Sequence, residues 1–146
     1  MIRFMLFLSL SYSVVSSATE VKHIDPNIKI LSGVINYDDY ASQSVLIGST
    51  LFYFNDFLST DTEIGFANDG LFISQRLIAT KKLNESFALT GGVSANYITE
   101  DFDIGYDIGV EYILNKKSSL YFQNRSIGDF FKGHDYMFLL GAKYDF

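Results

Sequence analysis

Ser126, His134 and Asp135 form the one set in this chain that offers a hydroxyl nucleophile, an imidazole base and an orienting carboxylate within a single loop and its flanks. Their chemistry would be acyl transfer, with the base taking the hydroxyl proton and the acid holding the imidazole. His134 stands alone beside Gly133, the usual setting of a solvated turn residue, and no catalytic residue is assigned. The acids Asp38, Asp39, Glu100, Asp101 and Asp103 could screen divalent cations. They lack the regular oxygen spacing of a calcium loop, so no metal site is assigned either. The absence of cysteine removes thiolate ligands, a Cys nucleophile and disulfides. No cofactor is expected.

A second set is larger and of mixed sign: Asp61, Glu63, Arg76, Asp107, Glu111, Arg125 and Lys143. Each falls on the polar face of a stretch that alternates with period two, the pattern of a strand with unlike faces. From Phe87 to Tyr97 the odd positions are Phe, Leu, Gly, Val, Ala and Tyr, and the even ones Ala, Thr, Gly, Ser and Asn. Ile104 to Tyr112 repeats this, with Asp107 and Glu111 on the polar face.

Alternation and turn residues predict eight strands: Ile28 to Tyr37, Ser42 to Phe54, Ser59 to Phe66, Leu71 to Ala79, Phe87 to Tyr97, Ile104 to Tyr112, Ser119 to Ile127, and Tyr136 to the end. The connections fall at Asp38 and Asp39, Asn55 and Asp56, Asn68 to Gly70, Lys81 to Glu85, Glu100 and Asp101, Asn115 to Lys117, and Gly128 to Asp135. In the first strand Ile28, Ile30, Leu31, Val34 and Ile35 fall on both faces, so its orientation is open. The expected fold is all-β, a closed antiparallel up-and-down barrel.

Period two does not say which face is inside, since a soluble barrel carries its apolar face inward. The polar face here holds Gly65, Gly92, Gly105, Gly109 and Gly141 beside charges of both signs, which suits a crowded polar lumen. The apolar face ends in aromatics, Phe54, Phe87, Tyr112, Tyr144 and Phe146 at one end and Phe66, Tyr97, Tyr106 and Tyr136 at the other. Such girdles mark the two interfaces of a membrane. A barrel spanning lipid is therefore expected, with the soluble barrel as alternative.

Both chain ends point the same way. Met1 to Arg3, the apolar run Phe4 to Val15 and the small residues Ser16 to Ala18 read as a secretory signal over 1–18, leaving a barrel domain over 19–146. About twelve apolar residues are too few to span a bilayer, which takes roughly twenty. Loss of Arg3 leaves 10 basic against 17 acidic residues, which argues against a nucleic-acid partner. At the other end Tyr136, Phe138, Leu140, Ala142, Tyr144 and Phe146 form one apolar row.

The ending Gly141, Tyr144, Phe146 resembles the C-terminal assembly signal of bacterial outer-membrane β-barrel proteins. The mature chain is similar in architecture to their small eight-stranded members, the OmpA-like transmembrane domain and OmpX-like group. The resemblance implies residence in the bacterial outer membrane, contact with its lipid and lipopolysaccharide, and handling by the barrel assembly machinery. It also implies periplasmic termini, with the turns near Asn55, Lys81 and Lys116 on that side and those at Asp38, Asn68, Glu100 and 128–135 outside. No peptidoglycan-binding domain is expected after the barrel, and oligomeric state is left open.

If Asn68 and Asp69 centre a hairpin, Asp61 faces Arg76. The turn at Lys116 brings Asp107 near Arg125 in the same way, and Lys143 adds a base near the first strand. Such charges most simply plug the lumen, which implies a non-enzymatic barrel in envelope integrity or surface interaction. The alternatives are a narrow channel for small ions or solutes, and a lipid-modifying enzyme, although no local motif matches the lipid A deacylase or palmitoyltransferase barrels. Phe130 and Phe131 belong to no barrel face and are candidate contacts of an outer loop.

Overall fold

The computed structural model describes residues 26–37, 39–67, 69–98, 101–127 and 135–146. The expected signal over 1–18, His23, Asp38, Asn68, Glu100, Phe130, Phe131 and His134 lie outside these residues. The described chain forms β1 (Asn27–Tyr37), β2 (Tyr40–Tyr53), β3 (Leu58–Ala67), β4 (Gly70–Lys82), β5 (Phe87–Ile98), β6 (Asp101–Ile113), β7 (Ser118–Ser126) and β8 (Tyr136–Asp145). Each strand pairs antiparallel with its sequence neighbours, and β8 returns to β1, which closes the barrel.

Two expected boundaries move. Lys81 and Lys82 end β4 rather than forming a turn, because they pair with Leu89 and Ala88. Asp101 opens β6 opposite Ile98 rather than lying in a loop.

The two ends of the barrel are built differently. At one end the connections β1–β2 and β3–β4 have two residues each, and Asp39 and Asp69 take φ of 61° and 58°. Short polar side chains tolerate this left-handed conformation, which matches the twist of tightly joined strands. At the other end three four-residue turns share one device. The side-chain oxygen of Asn55 accepts the N–H groups of Phe57 and Leu58 at 2.8 and 2.7 Å, and Asn84 does the same for Ser86 and Phe87. Asn115 accepts from Lys117 at 2.8 Å. These asparagines hold locally the donors that the sheet ladder has released. We call the ends the hairpin end and the turn end; the described N- and C-terminal residues lie at the turn end.

Closure follows from the first and last strands. Ten register pairs join them, from Asn27 with Asp145 to Asn36 with Tyr136, and the Phe146 N–H donates to the Pro26 carbonyl at 2.8 Å. No strand edge is then left to pair with another chain. In β2 the register shifts between Thr50 and Phe52. The extra residue is a bulge that brings Tyr53 onto the inner face beside Ser59.

The faces divide cleanly. Large apolar side chains on the outside are exposed, among them Ile47, Ile64, Val93, Ile108 and Leu140 around the waist. The aromatics Phe87, Tyr112, Tyr144 and Phe146 ring the turn end, and Phe66, Tyr106 and Tyr136 the hairpin end. Phe87 and Tyr112 touch with ring centres 5.0 Å apart, and Tyr144 and Phe146 meet edge to face at 5.3 Å. Nearly all the buried charge and polarity lies inside.

Candidate functional site in the barrel lumen

The lumen is filled in three layers. The middle layer is a charge cluster contributed by five strands. Arg76 of β4 lies at its centre: its Nη2 donates to Asp107 Oδ1 at 2.7 Å, its Nε to Asp107 Oδ2 at 3.3 Å, and its Nη1 to Glu63 Oε1 at 2.9 Å. Asp61 is a more distant partner, 3.7 Å from Nη1. Arg125 of β7 grips Glu63 from the far wall with both terminal nitrogens, Nη2 at 2.8 Å from Oε1, and Gln123 supports its guanidinium at 2.6 Å. Lys29 of β1 completes the set by donating to Asp61.

Three cations and three carboxylates therefore interlock, and their side chains are almost wholly withdrawn from solvent. Buried ions are costly to desolvate, and this arrangement offsets the cost by balancing charge and by guanidinium-carboxylate hydrogen bonds. Glycine provides the room. A Cβ at Gly48 would collide with Glu63 Cγ, and one at Gly92 would press on the Leu77 carbonyl and Asp107 Oδ2. The first position is left to the Glu63 side chain, and the second to the β4 backbone with Asp107 beside it.

Toward the hairpin end an apolar cluster packs beside a hydrogen-bonded polar set, in which Ser74 donates to Asn96 at 2.8 Å, Asn96 to Ser94 at 3.0 Å and Tyr37 to Asp103 at 3.3 Å. Leu31 and Ile35 of β1, Leu46 of β2, Phe72 of β4, Ile98 of β5 and Met137 and Leu139 of β8 are buried there in one continuous cluster. Together the two sets fill this part of the lumen as a plug of packed side chains. Toward the turn end the lumen opens instead into a cavity of about 860 Å³. Thr50, Tyr53, Thr90, Glu111, Tyr121, Gln123 and Lys143 line its walls, and Lys82, Asn115 and Lys116 its mouth. Lys29 stands at its floor, 5.2 Å from the centre of the Tyr121 ring.

The seven charges singled out by alternation all face inward, but they do not form one group. Asp61, Glu63, Arg76, Asp107 and Arg125 meet in the cluster. Asp61 pairs with Arg76 and Asp107 with Arg125 in strand register, yet the close ion pairs run elsewhere, Arg76 to Asp107 and Arg125 to Glu63. Glu111 and Lys143 stand apart in the cavity. Lys143 meets Asp145 at 2.9 Å and the Tyr53 hydroxyl at 3.3 Å. Lys29 is the cluster member that sequence reasoning missed.

Of the hydrolytic set, Ser126 ends β7 facing outward, with its hydroxyl buried and unpaired among the described residues. Asp135 precedes β8, where its carbonyl accepts the Ile127 N–H at 3.2 Å. No group of three or more metal-ligating side chains occurs among the described residues. At the chain end Gly141 faces inward against the Ile30 carbonyl and the Leu31 side chain, while Tyr144 and Phe146 face out.

A water-soluble barrel puts its apolar side chains in the core. Here the exposed waist is apolar and the ions are inside, an arrangement stable where the surroundings are hydrocarbon. Closure supplies the second requirement, since every strand has a partner on each side.

No protein-family model matches the chain, and no curated protein matches it. Solved structures do. A de novo designed transmembrane β-barrel superposes with a TM-score of 0.63 at 12% identity, covering 87% of this chain and all of that one. The N-terminal β-barrel domain of Pseudomonas aeruginosa OprF gives 0.56 at 14% identity, over 85% of this chain and all of that domain. Neisserial surface protein A gives 0.50 at 15% identity, over 83% and 96%. The chain has the fold of small transmembrane β-barrels.

Proposed function

We propose that this chain is a non-enzymatic, non-conducting integral protein of the bacterial outer membrane, serving envelope integrity or surface interaction. The observation that carries the reading is the double seal of the lumen. A charge cluster with no net charge and a packed layer, apolar on one side and hydrogen-bonded on the other, lie in series between the turn-end cavity and the hairpin end. A narrow channel would need both to open, and a lipid-modifying enzyme would need Ser126 freed from its buried position.

With the turn end in the periplasm, the cavity opens to that side and the sealed hairpin end faces outward. Outer-membrane lipid and lipopolysaccharide then surround the apolar waist, and the barrel assembly machinery receives the chain through Gly141, Tyr144 and Phe146. Phe146 is suited to that role because its ring is exposed on the outer face while its N–H helps close β8 on β1.

Deletion of Phe146 should remove most of the folded protein from the outer-membrane fraction. The check is electrophoresis of that fraction with and without boiling, because a closed barrel resists detergent and migrates differently when folded. Undiminished yield of the heat-shifting band from the deletion would contradict the assembly role. Wild-type protein found in the soluble periplasm, with no heat shift, would contradict membrane residence.

A further inference from the structure

Besides hydroxyls such as those of Ser32 and Thr60, the outer waist carries one side-chain amide among the described residues. Thr62 and Gln75 are paired across β3 and β4 and both face outward, at the height of the charge cluster: Thr62 lies between Asp61 and Glu63, and Gln75 between Ser74 and Arg76. The Thr62 hydroxyl donates to the Gln75 side-chain oxygen at 2.5 Å. That leaves the two N–H donors of the Gln75 amide without an acceptor among the described residues. The other outward amides, Asn36, Gln43 and Asn124, lie toward the hairpin end, where an interface can solvate them.

At mid-height no water is available, and an unmet amide donor in hydrocarbon is unfavourable. The surroundings of Gln75 differ from the rest of the waist in a second way. Its register partner on β5 is Ala95, and Thr62's partner on β2 is Ser49. Ser49, Thr62, Gln75 and Ala95 thus form a row across four strands. The three small residues let another backbone approach closely, as they do between helices in membranes.

We infer that this face, β2 to β5 centred on Gln75, is the contact surface for a second copy of this chain. The inference rests on the barrel lying in lipid. Self-complementarity selects a second copy over another occupant. A primary amide is both donor and acceptor, and the Gln75 oxygen keeps one lone pair beyond the bond from Thr62. Two copies inserted with the same orientation are related by a two-fold axis along the membrane normal, which places the two Gln75 amides at one height, facing each other. Each N–H then has the partner's Gln75 oxygen within reach, with the Ser49 and Thr62 hydroxyls as further partners. A lipid chain offers none of these.

The experiment is energy transfer between donor- and acceptor-labelled copies in phosphatidylcholine vesicles, over a range of protein-to-lipid ratios, for wild type, Gln75→Leu and, on another wall, Leu140→Ala. Heat-shifted migration is checked first in each sample, so that failure to insert is scored against the membrane reading and not against the interface. Wild type and Leu140→Ala should associate alike, and Gln75→Leu should associate at least about tenfold more weakly, equivalent to about 1.4 kcal/mol. Transfer no greater than random proximity for inserted wild type, or no loss in Gln75→Leu, would overturn the proposal. A photo-crosslinking residue in place of Leu77, used in whole cells, should give an adduct of twice the chain mass. An adduct only with a different protein would overturn it as well.

Discussion

Replacing Arg76 by alanine should destabilise the barrel by about 3–5 kcal/mol, the usual cost of removing one partner from a buried ion cluster. The loss is large because Arg76 serves three acids. Asp107 would lose a two-point partner, Glu63 one of its two guanidiniums, and Asp61 its second cation. Three carboxylates would then share Lys29 and Arg125. Urea unfolding of protein inserted in lipid vesicles, followed by the fraction of heat-shifting band, measures the change.

The double variant Arg76→Met with Asp107→Leu separates lost charge balance from lost packing. It leaves Glu63 with Arg125 and Asp61 with Lys29, two neutral pairs in contact. It should recover much of what Arg76→Ala loses. A double variant as unstable as the single one would mean that packing of the guanidinium stem, rather than pairing, holds this layer.

Phe72→Ala should cost a similar amount, about 3–5 kcal/mol, for a different reason. Phe72 is fully buried in the apolar side of the plug, and truncating it leaves a void among Leu46, Ile98 and Met137 that the surrounding strands, fixed in a closed ladder, cannot collapse to fill. The same urea titration reads the effect. Phe72→Leu should lose only a fraction of it, since most of the volume is kept. Equal stability of Phe72→Ala and wild type would show that the hairpin half of the lumen is hydrated and the plug incomplete.

Much of this fold is legible in the chain, for physical reasons that also set the limit. Period two carries strand faces directly, so the inward positions of Asp61, Arg76, Asp107 and Arg125 follow from the alternation along their strands. Register follows from where a turn is centred, which places Asp61 across from Arg76. Partner choice does not follow. Arg76 reaches across the lumen from β4 to Asp107 on β6, and Arg125 from β7 to Glu63 on β3, contacts set by barrel width and side-chain length rather than by sequence separation.

Lys29 escaped notice because β1 is apolar on both faces: Leu31 and Ile35 point inward to the plug while Ile28, Ile30 and Val34 point outward. The pairing of β1 with β8 resolves this, since Lys29 stands opposite Lys143, which alternation places inside. The plug itself was hidden for the same reason. Inward Leu31, Leu46, Phe72, Met137 and Leu139 carry no polar mark of the lumen, and only closure shows that they meet.

The most direct test of the central claim, a barrel sealed across the membrane, is the current through a planar bilayer containing the purified wild-type protein, with insertion verified by its heat-shifted band. Two seals in series predict a flat baseline at all moderate voltages in potassium chloride. Reproducible ohmic steps from the wild-type chain would contradict the account and show that the charge cluster and the plug open together to water.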